Sequence, residues 1–97
     1  MSWIEDGLHI DKFGNKNWYK DGKQHRKDGP AAVYPNGLQE WGQNGLLHRI
    51  GGPAIEDDLG YTEWRLYGKK YEESDYNHVV SNLPLLYWNR FKEGRWI

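Results

Sequence analysis

WYKDGKQHRKDGPAAVYPNGLQE, residues 18–40, runs without a gap into WGQNGLLHRIGGPAIEDDLGYTE, residues 41–63, and a third segment opens as WRLYGKKYEE at residue 64. Trp18, Trp41 and Trp64 therefore recur every 23 residues (18, 41, 64). Other positions keep the same spacing: Gly22, Gly45 and Gly68; His25 and His48; Arg26 and Arg49; Gly29 and Gly52; Pro30 and Pro53; Ala31 and Ala54; Glu40 and Glu63. Upstream, Gly14 stands in the same relation to Gly37 and Gly60, which marks Leu8 to Asn17 as the tail of a truncated copy.

The repeat predicts β-hairpins. Asp21-Gly22, Asn36-Gly37 and Asn44-Gly45 accept the positive φ values of tight turns and separate short segments rich in Val, Tyr, Leu, Ile and Trp. Ala31 to Tyr34 with Leu38 to Gln43, then Ala54 to Asp57 with Tyr61 to Leu66, read as two strands per copy. The stretch from the following Gly turn through His-Arg to Gly-Pro reads as a longer loop. Pro30 and Pro53 lack the N–H a ladder needs, so they belong at strand starts. The fold class expected is mainly β: an antiparallel single-sheet hairpin repeat over residues 8–72 with a short helical C-terminal cap over 73–97, all in one domain of 97 residues.

The pattern W-x-x-(D/N)-G-x-x-H, with further glycines in a 23-residue unit, resembles the MORN repeat. His25-Arg26-Lys27-Asp28-Gly29-Pro30-Ala31 is similar to the HRxDGPA variant of that repeat found in bacterial and bacteriophage proteins. The resemblance covers about residues 8 to 72. Copy two departs from it with Ile50-Gly51, and copy three has Tyr71-Glu72 where His-Arg belongs.

Beyond Tyr71 the period stops. Ser74 or Asp75 can cap a helix whose Tyr76, Val79, Val80 and Leu83 fall on one face, Pro84 interrupts it, and Leu85 to Phe91 can form a second short helix. A single-layer sheet needs cover for its apolar face, and this segment is the natural candidate.

Mean hydropathy is −1.00 and the hydrophobic share is 37%, so six Trp and seven Tyr must supply much of the burial. A net charge of −1, from 13 basic and 14 acidic residues, gives no basic excess for general phosphate binding. The absence of cysteine excludes disulfides and thiolate metal sites. No apolar run approaches the ~20 residues that cross a bilayer, and Met1-Ser2-Trp3-Ile4-Glu5-Asp6 does not read as a signal peptide. The expectation is a cytoplasmic protein.

Two histidines in successive copies, without a third ligand beside them, are a poor zinc set, and no cofactor or metal is expected. The repeat explains His25-Arg26 and His48-Arg49 better as scaffold, with Arg pairing Glu40 or Glu63 and His bonding loop backbone. Asp57-Asp58 reads as a solvated turn, and Gly51-Gly52-Pro53 lacks the context of a phosphate cradle. Catalysis is not expected, because active sites need one asymmetric constellation and repeats supply copies.

The functional candidates are the aromatics outside the Trp series: Tyr19, Tyr34, Tyr61 and Tyr67 on the repeats, and Trp88, Arg90 and Trp96 in the tail. They favour a protein-binding module, in the setting the resemblance implies a small bacteriophage accessory protein that binds or inhibits a host factor. The alternative is an RNA or nucleotide binder that stacks bases on Trp88 and Trp96 beside Arg90, Lys92 and Arg95. Membrane-surface association, sometimes proposed for MORN arrays, finds little support in the near-neutral charge.

Overall fold

The computed structural model describes residues 4–82, and they fold mainly as antiparallel β-sheet built of hairpins and closed by one short helix. The strands are β1 Gly7–Ile10, β2 Lys16–Lys20, β3 Lys23–Gln24, β4 Ala32–Val33, β5 Gln39–Glu40, β6 Gly42–Gln43, β7 Leu46–Leu47, β8 Ile55–Glu56, β9 Thr62–Leu66 and β10 Lys69–Tyr71, and the helix is α1 Glu73–Ser81. The main sheet runs β1-β2-β4-β5-β8-β9-β10, with β3 paired to β2, while β6 and β7 form a separate hairpin.

Each copy carries two kinds of turn. In the first, both central residues have positive φ: Asp21 (52°) and Gly22 (76°), Asn44 (54°) and Gly45 (81°), Tyr67 (54°) and Gly68 (82°). That is the type I′ pattern, whose twist matches the flanking strands. Such a turn forces the chain straight back into a partner strand. The segments after Gly22 and Gly45, expected to be loop, accordingly begin with the return strands β3 and β7, and β10 follows Gly68 in the same way.

The second turn is wider. The Tyr34 N–H donates to the Leu38 carbonyl at 2.9 Å and the Gly37 N–H to the Tyr34 carbonyl at 3.0 Å. Both bonds have an equivalent at Asp11, Gly14 and Asn15 (3.1 and 3.1 Å), and Asp57 repeats the first by donating its N–H to Tyr61 O at 3.2 Å. The truncated N-terminal copy is thus structurally real. Where Asp opens the turn its carboxylate gathers backbone N–H groups: Asp11 from Phe13 and Asn15, Asp57 from Leu59 and Tyr61. Asp57 is turn chemistry, as its sequence context suggested.

Copies are stitched by bonds that also obey the period. Trp18 and Trp41 donate their backbone N–H to Ala31 O and Ala54 O at 2.8 and 2.6 Å, and Ala31 and Ala54 donate to Glu40 O and Glu63 O, both at 2.7 Å. Gly45 reaches back to Gln24 O, and Gly68 to Leu47 O. The strand expected over Leu38 to Gln43 is split at Trp41 into β5, which pairs within the main sheet, and β6, which pairs with β7 in the separate hairpin.

The core is thin. Ala31, Ala32, Ala54, Ile55, Leu66 and Tyr76 are its buried apolar residues among those described. Helix α1 closes the array by setting Tyr76 against Trp64, ring centroids 4.9 Å apart. The Tyr76 hydroxyl donates to Arg49 O at 2.5 Å and accepts the Gly51 N–H at 3.1 Å. Tyr76 lies 23 residues after Pro53, so the helix occupies the place where another copy would continue. Its start differs from expectation: Glu72, not Ser74 or Asp75, is the N-cap and makes no side-chain capping bond. Glu73 and Asp75 in the first turn instead complement the positive helix terminus. Leu83 and the second helix expected over Leu85 to Phe91 lie outside the described residues.

The I′ turns supply a clean backbone test. At Gly22, φ is +76° and a Cβ would meet nothing within 4 Å, so any cost of Gly22→Ala is conformational. Urea unfolding is expected to show a loss of about 1–2 kcal/mol. No loss would mean that the turn readily relaxes to another type.

Candidate functional site

Directly paired residues share a face of a sheet. The register puts Asn17, Ala32, Glu40, Ile55 and Glu63 in one row, and Lys16, Val33, Gln39, Glu56 and Thr62 in the next row on the opposite face. Alternation then sends Trp18, Trp41 and Trp64 to the second face and Tyr19, Tyr34 and Tyr61 to the first.

On the Trp face each full copy builds the same constellation. The Arg26 guanidinium lies 4.0 Å from the Trp18 ring centroid and that of Arg49 3.8 Å from Trp41. Each Arg also donates to the Pro carbonyl four residues on, at 3.2 Å to Pro30 and 3.1 Å to Pro53. A Cβ at Gly29 or Gly52 would come within 2.7 Å of the same guanidinium carbon, which explains the glycine in both copies. Copy three has no Arg at this position, and Tyr76 covers Trp64 in its place.

The histidines link neighbouring copies. His25 Nδ1 accepts the Asn44 N–H at 3.0 Å and His48 Nδ1 accepts the Tyr67 N–H at 3.1 Å, each fixing the I′ turn of the following copy. Burial pushes the His48 imidazole down to about 4, and lowers His25 in the same direction. Both act as neutral acceptors. The ion pairs differ from expectation: Arg26 meets Asp28 and Arg49 meets Glu56, each at 3.3 Å, rather than Glu40 and Glu63. The reason is the register, which sends Glu40 and Glu63 to the Tyr face.

There, the Tyr34 hydroxyl donates to Glu40 at 3.1 Å, and the Tyr61 hydroxyl donates to Glu63, which also pairs with Arg65 at 2.7 Å. The Tyr61 and Arg65 bonds hold the Glu63 carboxyl below the usual range. Tyr19 packs edge-on to His9, ring centroids 5.3 Å apart. Tyr61 is the most open of the series at 48% exposure. Tyr67 stands apart from this face: its ring stacks on His48 at 5.0 Å, in the I′ turn. Trp88, Arg90 and Trp96 lie outside the described residues.

A second feature escaped sequence reasoning. Between copies one and two lies a cavity of about 130 Å³ whose lining includes Arg26, Lys27, Trp41, Gln43, His48 and Arg49. Trp41 Nε1 and Gln43 Oε1 are both buried without a hydrogen-bond partner. The sequence did hold a signal, because Gln43 stands where the neighbouring copies carry Lys20 and Leu66. Gln43→Leu, which installs the residue of copy three, is expected to raise unfolding stability by about 1 kcal/mol by removing a buried unpaired acceptor. A thermal or urea melt showing destabilisation would mean that the amide makes bonds the cavity conceals.

Among the described residues no three His, Asp or Glu side chains gather to hold a metal ion, and no helix is long and apolar enough to cross a membrane. The fold and these sites define an antiparallel hairpin array closed by a helix, with Trp18, Trp41 and Trp64 on one face, joined there by Tyr71 and Tyr76, and Tyr19, Tyr34 and Tyr61 on the other. The chain matches no protein-family model, no curated protein and no solved structure.

Proposed function

We propose that this chain is a non-catalytic, MORN-like protein-binding module whose Tyr face docks a partner protein. The observation that carries the reading is the segregation of the aromatics. The Trp residues are engaged by Arg26, Arg49 and Tyr76 as scaffold, whereas Tyr19, Tyr34 and Tyr61 lie together on the opposite face. Tyr gives large amphipathic contact area for little conformational entropy. Glu40 and Glu63 on that face work against a phosphate backbone, which favours protein over RNA. The HRxDGPA resemblance supplies the setting: a small accessory protein of bacteriophage type, acting in the host cytoplasm by binding or inhibiting a host factor.

Affinity capture from nuclease-treated bacterial lysate is expected to retain a discrete protein with the wild-type chain. A Tyr19→Ser, Tyr61→Ala double variant is expected to lose it at least about tenfold with its circular dichroism unchanged. Equal capture by the variant, or recovery of nucleic acid alone, would sink the reading.

A further inference from the structure

We infer that the open edge of strand β1 pairs antiparallel with β1 of a second copy of this chain, joining two sheets into one. The main sheet ends in β1 and β10. The β10 edge is protected, by Lys69 and Lys70 on the strand and by helix α1 packed beside it. The β1 edge, Gly7-Leu8-His9-Ile10, carries no lysine, no carboxylate and no proline, and among the described residues no strand lies on its outer side.

The period shows what that edge receives elsewhere in the array. Leu8 corresponds to Ala31 and Ala54, and Ile10 to Val33 and Glu56. At those places the edge is occupied: β4 receives β2 and β8 receives β5, with Trp18 and Trp41 donating their N–H groups to Ala31 O and Ala54 O. The side chains of β1 also depart from what the end of an array needs, a polar outer surface. Leu8 is 48% exposed and Ile10 59%, on the face they share with Trp18. Phe13, 70% exposed, follows in the adjoining turn.

Backbone geometry selects the occupant and the register. The Asp11 N–H donates to Asn15 O, and bonded and non-bonded pairs alternate along an antiparallel ladder. His9 therefore bonds to β2, while Leu8 and Ile10 direct their N–H and C=O groups outward. Pairing two β1 strands about His9 sets Leu8 opposite Ile10 of the second copy, and Ile10 opposite its Leu8. Every outward group of Leu8 and Ile10 then finds its complement, and the exposed apolar side chains meet in directly opposed pairs on one face. Continued past the strand ends, the register brings Asp6 of each chain to Lys12 of the other, opposite charges at both ends. The strand is self-complementary, which commits the edge to a second copy. Because the β10 edge is protected, the assembly closes as a two-fold dimer instead of extending. The axis stands perpendicular to the sheet, so Tyr19, Tyr34 and Tyr61 of both copies stay on one side, and the inference does not depend on what they bind.

Sedimentation equilibrium of the full chain between about 10 μM and about 1 mM is expected to approach twice the 11.5 kDa monomer mass at the upper end, a weak dimer in keeping with a short strand pair. Ile10→Pro removes an outward N–H without touching the β1–β2 ladder, and is expected to weaken the dimer at least about tenfold. Lys12→Glu lies in the turn outside the ladder and is expected to weaken it about threefold by setting like charges together. Because the chain has no cysteine, His9→Cys reports the register directly. Residue 9 stands opposite itself in a non-hydrogen-bonded pair, about 4.5 Å between Cα atoms, within reach of a disulfide. Air oxidation is expected to link these chains at least about tenfold faster than those of Leu59→Cys, an exposed position in another turn. A chain that stays monomeric throughout overturns the inference, whether the edge serves residues 83–97 of the same chain or a strand of another protein. So does a dimer undiminished in both Ile10→Pro and Lys12→Glu, or cross-linking no faster at residue 9 than at residue 59.

Discussion

Replacing Arg49 with alanine is expected to lower the unfolding free energy by about 3 kcal/mol, the largest effect of any single side chain outside the apolar core. Three contacts end together. The guanidinium leaves the Trp41 ring it covers at 3.8 Å, the Pro53 carbonyl it bonds at 3.1 Å, and the Glu56 carboxylate at 3.3 Å. The ion pair is partly exposed and contributes least. The stack and the charge-assisted bond carry most of the loss, because Arg also shields an indole face that the small core cannot cover. Gly52→Ala is expected to cost about 2 kcal/mol by the same route, since its Cβ would stand 2.7 Å from the Arg49 guanidinium carbon and displace it.

The two substitutions form a cycle. In the Arg49→Ala background Gly52→Ala has nothing to displace, and its cost is expected to vanish. Chemical denaturation of the four proteins measures the coupling. Additive losses would mean that Gly52 is required for backbone reasons and that the Trp–Arg–Gly sandwich is not one unit.

Acidification is expected to remove about 3 kcal/mol through His48 alone by pH 4. The folded imidazole is pushed down to about 4 from its ordinary 6.5 by burial, so the folded chain resists protonation that the unfolded chain accepts. The unfolded state binds more protons throughout this interval, and stability therefore falls as pH falls from 6.5 towards 4 and is unaffected above it. The mechanism is specific. A protonated Nδ1 can no longer accept the Tyr67 N–H, and Tyr67 stacks on the same ring. His25, lowered by burial and by the field of Lys20 and Lys27, adds a slope of the same sign.

His48→Asn separates this effect from the carboxylates, since its side-chain oxygen can accept the same N–H without titrating. Stability of the variant, measured by urea unfolding between pH 6.5 and 5, is expected to be much flatter than that of the wild type. A wild-type profile that is flat across the interval, or a slope retained in His48→Asn, would remove His48 from the acid response.

Much of the scaffold chemistry was legible before any coordinates. Fixed recurrence of Trp, Gly, His, Arg, Gly and Pro identified the unit, and Asp21-Gly22 and Asn44-Gly45 identified its tight turns, whereas Asn36-Gly37, read the same way, lies in the wider turn with only Gly37 at positive φ. Tyr67-Gly68 was recognisable as a tight turn only by its place in the period, because Tyr has no intrinsic preference for positive φ. The carboxylate partners were misassigned for a physical reason: two residues can recur together and still point to opposite faces. Arg26 and Arg49 share the period with Glu40 and Glu63, yet strand register separates them.

The cavity was legible only in hindsight. Gln43 between Lys20 and Leu66 is an ordinary substitution in sequence, and its burial beside Trp41 depends on how copy one closes over copy two. The sequence by itself determined the repeating hairpin unit, its turns and its terminal helix, because these rest on local φ preference and on short-range periodicity. Tertiary structure alone decided which aromatics share a face, which carboxylate meets which arginine, and which polar atoms, Trp41 Nε1 and Gln43 Oε1 among them, end buried without a partner. Those outcomes depend on register between segments about one repeat apart, a long-range property that no local pattern encodes.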